Sequence, residues 1–97
     1  MNAEIEKLLT LLDDEESLRN VIGDLQVEYH IENGSELAFR LRDEIVATHW
    51  MYWHKAMTLV RDRDLLYSRG TDTWADYAQP KHFIVAAMVA RLLKEQA

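Results

Sequence analysis

Ninety-seven residues are enough for a single domain, 1–97, with one core. The chain has no cysteine, which excludes a disulfide framework, thiolate metal sites and a cysteine nucleophile, and fits a cytoplasmic setting. The net charge of −6 is unevenly placed: residues 1–36 hold ten acids against Lys7 and Arg19, while residues 37–97 hold seven acids against nine bases. An acidic N-terminal third disfavours direct binding of nucleic acid or anionic membrane and attracts basic surfaces.

The opening stretch MNAEIEKLLTLLDDEE carries acids where a secretory signal carries bases, and no apolar run approaches the ~20 residues of a membrane span. Ala3 to Leu12 puts Ile5, Leu8, Leu9 and Leu12 on one helical stripe. Asp13-Asp14-Glu15-Glu16 interrupts that stripe, and Asp13 with Glu16 has the spacing of a capping box. The second helix runs from about Asp14, with Leu18, Val21, Ile22, Leu25 and Tyr29 on one face. Residues 25–31 alternate in the strand manner, but Tyr29 extends the helical stripe and no partner strand is evident. Asn33-Gly34 reads as the stop, since both residues tolerate a positive φ.

Ser35 is the expected cap of the third helix, with Glu36 in its first turn. Its pattern continues to Val60 and on toward Arg69 and Gly70, long enough that a bend is expected near Arg61-Asp62-Arg63-Asp64. Thr71 to Thr73 offer caps, and a short helical turn carrying Trp74 and Tyr77 follows. Pro80 suits the first position of a last helix, because its missing N–H is an orphan there. That helix, Pro80 to Gln96, carries Phe83, Val85, Met88, Val89, Leu92 and Leu93, while Ala86, Ala87 and Ala90 permit close approach of a neighbour. The expected fold is all-α: a small bundle of four to five helices with a long central helix.

The stretch ATHWMYWHKAM, residues 47–57, raises the question of a site. With Leu37 at 0°, His49 falls at about 120° in the apolar sector and His54 at about 260° on the polar side. A separation of about 140° does not suit one ion, and zinc pairs on helices use three- or four-residue spacing. The spacing instead pairs His49 with Trp53 and Trp50 with His54, each four apart. Trp50, Tyr52 and Trp53 suit core anchoring first, with an aromatic interface patch as the functional alternative. Met51 stands at about 320°, an apolar residue on a charged face.

Arg42, His49 and His82 share apolar sectors and form a candidate ligand site; the structural alternative is a set of satisfied core or boundary polar groups. Dinucleotide and phosphate-loop glycine motifs, the serine-nucleophile elbow and the Glu-x-x-His pairs of di-iron bundles are absent. Absent too are the Glu-x-x-Glu pairs that hold magnesium in small all-α nucleotide pyrophosphohydrolases. No cofactor, metal or catalytic residue is therefore assigned. The reading is a homo-oligomeric, non-enzymatic protein-binding regulator of adaptor or inhibitor type. Its contact residues are Glu15, Glu16 and Asp24, which could occupy a basic nucleic-acid-binding surface of a partner, with Trp50, Met51 and His54. The alternatives are a nucleotide- or small-ligand-binding enzyme at Arg42, His49 and His82, and a structural oligomerisation module.

Overall fold

The computed structural model describes residues 2–64 and 78–97. Among the described residues four helices run in order: α1 (Ala3–Leu9, continued by a 3₁₀ turn, Thr10–Leu12), α2 (Glu15–Tyr29), α3 (Gly34–Asp64) and α4 (Pro80–Glu95). No strand occurs among the described residues, so the chain is the expected small all-α bundle with a long central helix. The expected caps at Thr71 to Thr73, the stop at Gly70 and the turn around Trp74 and Tyr77 lie outside the described residues.

Local hydrogen bonding sets the boundaries. The α1 cap is Asn2, whose side chain accepts the Glu4 N–H at 2.8 Å. The α2 cap is Asp14, not Asp13: its carboxylate accepts the Ser17 N–H at 3.2 Å and the Ser17 hydroxyl at 2.7 Å. The physical reason is that a cap needs extended backbone. The 3₁₀ turn keeps Asp13 helical (φ −93, ψ −14), so the chain opens only at Asp14 (φ −118, ψ 92). The Ser17 hydroxyl and then its N–H hold the Asp14 carboxyl below its ordinary pKa.

Helix α2 ends three residues before the expected Asn33-Gly34 stop. His30 takes the left-handed conformation (φ 57, ψ 43), and the Ile31 N–H reaches back to the Gln26 carbonyl at 2.9 Å. That six-to-one bond is a Schellman ending. Asn33 then opens α3 by accepting the Ser35 N–H at 2.7 Å, which places Ser35 inside the first turn with Glu36 rather than at the cap. Residues 25–29 are helical, as the Tyr29 stripe requires.

Within α2, Gly23 is a weak point, since a Cβ there would meet nothing within 4 Å. Gly23→Ala is expected to stabilise the fold by about 0.5–1 kcal/mol, because alanine loses less backbone entropy in a helix. A thermal melt should show a rise of about 2–8 °C for a domain of this size.

The core is built around α4. His82 to Ala87 are six consecutive buried residues, and six successive helical positions cover the whole circumference. The N-terminal half of α4 is therefore enclosed on all sides. Leu37, Ala38, Leu41, Ala56 and Val60 of α3 join it with almost no exposure, and Ile5, Leu9, Leu12 and Leu18 close the core from α1 and α2. Ala86, Ala87 and Ala90 are buried, as small residues at a close helix approach would be. Helix α3 touches α1, α2 and α4, which accounts for its wide apolar arc.

Helix α3 is bent well before the stretch where the sequence suggested a bend. Arg61 to Asp64 stay helical, and the break is at His49 (φ −146, ψ 52). A straight helix of 31 residues would be about 45 Å long, against a longest molecular extent of 37 Å. Two interactions mark the break. The Thr48 hydroxyl donates to the Glu44 carbonyl at 2.8 Å, a back-bond that loosens and bends helices. Phe39 and Trp53 both lie against Phe83 of α4, with ring centroids at 5.9 and 6.2 Å. Fourteen residues along a straight helix is about 21 Å, yet these rings lie within about 12 Å of each other. The bend folds α3 around Phe83.

Candidate protein-docking groove

The sequence candidates separate into three places. The first is the buried His82, 1% exposed, in the first turn of α4. Its Nδ1 accepts the Gln79 N–H at 2.7 Å, so Nε2 carries the proton and donates to the Asp64 carboxylate. With both ring nitrogens engaged and the ring enclosed, His82 holds the end of α3 to the start of α4. Arg42 is engaged elsewhere, 2.9 Å from Asp43 and over the Phe39 and Phe83 rings at 4.9 and 6.0 Å. His49 turns its ring edge-on to Tyr52 at 6.0 Å rather than pairing with Trp53, because the backbone breaks at His49 itself and Trp53 stacks on Phe83. The contacts of Arg42, His49 and His82 thus run to different neighbours. Among the described residues, no group of three or more His, Cys, Asp or Glu side chains is arranged to hold a metal ion.

The second place is the acidic face. Part of the N-terminal charge is used internally: Arg63 reaches Glu6 at 2.8 Å and Asp13 at 2.9 Å, tying the end of α3 to α1. The Asp13 hydrogen bond leads the interactions that hold the Arg63 pKa above its ordinary value. Arg91 bonds the Tyr29 hydroxyl and lies 3.3 Å from Glu44, joining α2, α3 and α4. Burial opposes its charge, but Tyr29, Glu44 and Glu28 outweigh it and raise its pKa. Glu15, Glu16 and Asp24, by contrast, are exposed on α2 and make no ion pair among the described residues.

The third place is a groove along the second half of α3. Trp50 and Met51 are 62% and 57% exposed, and His54 is exposed beside them. The expected Trp50–His54 pair is present, edge to face at 6.4 Å. These three residues line an open groove of about 580 Å³ with Lys55, Thr58 and Leu59, and Leu93 of α4 forms its far side. The rows 50-54-58 and 51-55-59 follow helical spacing, so most of one wall is readable from sequence. Leu93 is not, because only the packing of α4 on α3 brings it there. A second groove, about 530 Å³, lies between α1, α2 and α4; Leu8, Leu11, Val21, Leu25 and Met88 are apolar, while Glu4, Lys7, Arg91 and Glu95 give charge of both signs.

Fold and surface together define a small helical bundle with an open groove lined by Trp50 and Met51 and a separate acidic helix face. No protein-family model matches the chain, and no match was found among curated proteins or solved structures.

Proposed function

We propose that this chain is a non-enzymatic protein-binding regulator of the adaptor or inhibitor type. The observation that carries the reading is the pair Trp50 and Met51, two large apolar side chains left exposed at the mouth of an apolar groove. Tryptophan dominates the energetics of many interfaces, and exposing it in water without a partner has no packing benefit. The unpaired acids Glu15, Glu16 and Asp24 supply a second contact, suited to a basic surface such as the nucleic-acid groove of a partner enzyme. The working form in this reading is a cytoplasmic homo-oligomer. The groove between α1, α2 and α4 supports that part, because a rim with both charge signs can complement its own copy across a two-fold axis.

Capture of partners from the native host, followed by mass spectrometry, tests the reading. Trp50→Ala should weaken capture of a specific protein by about thirtyfold, the loss of a hot spot worth about 2 kcal/mol. Reversing the charge of Glu15, Glu16 and Asp24 should weaken it further and reduce its salt dependence. Capture unaffected by charge reversal removes the acidic contact, and a monomer by light scattering at high concentration removes the oligomer.

A further inference from the structure

The Trp50 groove differs chemically from the rest of the surface. The chain has 17 acids against 11 bases, yet none of the seven residues lining this groove is an acid. The next residue along the 50-54-58 row, Asp62, is paired with Arg61 at 3.4 Å. The polar atoms at the groove are chiefly donors. Lys55 brings an ammonium with three N–H groups and no acceptor, and Trp50 brings an indole N–H. Neither makes a hydrogen bond among the described residues. The His54 ring adds an N–H donor beside one acceptor nitrogen, and the Thr58 hydroxyl is already donated to the His54 carbonyl at 2.9 Å. The groove between α1, α2 and α4 makes the contrast: its rim balances Glu4 and Glu95 against Lys7 and Arg91.

An occupant of the Trp50 groove must therefore bring apolar side chains for Met51, Leu59 and Leu93, and acceptors, preferably anionic, for Lys55, Trp50 and His54. The wall has helical form: Trp50 to Leu59 rises about 13 Å along α3, with α4 as the opposite side. A third helix laid between two helices completes such a layer, and no sheet edge exists among the described residues to pair with an extended peptide. We propose that the groove binds an acidic amphipathic helix of about three turns from another protein. Its large apolar side chains, spaced three and four residues apart, enter the groove, and its Asp or Glu flank faces Lys55 and His54. This inference rests on the protein-binding reading and specifies the chemistry of the partner.

The test uses the full chain and two fluorescent helical peptides of one design, sharing a leucine stripe and differing only in flanks of Glu or of Lys. The Glu peptide should bind at least tenfold more tightly than the Lys peptide, and the difference should shrink with added salt. Trp50→Ala should weaken the Glu peptide at least tenfold, and Lys55→Glu should reverse the preference. Both positions are exposed, and circular dichroism checks that the variants fold. Equal binding, preference for the Lys peptide or no binding of either would overturn the proposal. So would a concentration-dependent dimer abolished by Trp50→Ala, since the occupant would then be a second copy. A captured partner that needs Trp50 but docks through a basic segment would overturn the acidic helix while leaving the protein-binding function intact. Capture indifferent to Trp50 would remove that function's own basis.

Discussion

Ile84→Ala is expected to be among the most destabilising single changes in this chain, at about 2–5 kcal/mol. Ile84 is fully buried in the part of α4 that the bundle encloses on all sides. Removing its branched side chain loses the transfer free energy of the lost carbons and leaves a cavity that the enclosing helices can collapse into only partly. A domain of this size has a total stability of about 5–15 kcal/mol, so this one residue bears on whether the fold persists at all. In urea, the midpoint should fall without a change in slope. The exposed Val27, 77% accessible on α2, is the control: Val27→Ala should leave the midpoint nearly unchanged.

His82→Ala should cost about 3 kcal/mol, for a different reason. The ring is the buried link between the Gln79 N–H and the Asp64 carboxylate. Its loss leaves the Gln79 N–H at the N-cap of α4 without its acceptor, strips a partly exposed carboxylate of its partner and opens a cavity. Asp64→Asn retains an acceptor for the Nε2–H and should cost only about 1 kcal/mol. That inequality separates the two roles: a purely packing histidine would be insensitive to Asp64, and a purely electrostatic one would lose nearly as much with Asp64→Asn. Chemical denaturation of the two variants reads it directly.

Much of the fold was legible where chemistry is local. Pro80 marked the start of α4 because its ring suits a first helical position, and the Leu18 to Tyr29 stripe outweighed the strand-like alternation before residue 31. The caps were read one or two residues off, and α2 ends three residues early. His30 was invisible as a stop because histidine in the left-handed region has only modest local preference; the Schellman bond from Ile31 to Gln26 secures it. The bend at His49 lay further out of reach. It has no proline or glycine to announce it, and it forms where Phe39 and Trp53 converge on Phe83, a residue thirty positions or more from either.

The candidate sites divide in the same way. Trp50, Met51 and His54 could be grouped because residues one turn apart share a helix face, and they do line one groove. Lys55 and Leu59 continue the same rows, while Leu93 required knowledge of how α4 lies on α3. Arg42 and His49 shared only an angular sector of α3, a frame that fails at a break in the helix, and His82 shared only an apolar setting on α4. A sector also says nothing about partners: Asp43, Tyr52 and Asp64, the residues these three engage, are what decide their roles.

Site-specific photo-crosslinking in the native host addresses the proposed protein-binding function most directly. A photoreactive phenylalanine analogue replaces the exposed groove residue Thr58 in one sample, with Trp50 kept, and the exposed Val27 in another. Binding through the groove predicts a discrete covalent adduct with another protein from position 58, absent from position 27 and suppressed by excess unlabelled chain. No adduct at position 58, or the same adducts from both positions, would contradict it.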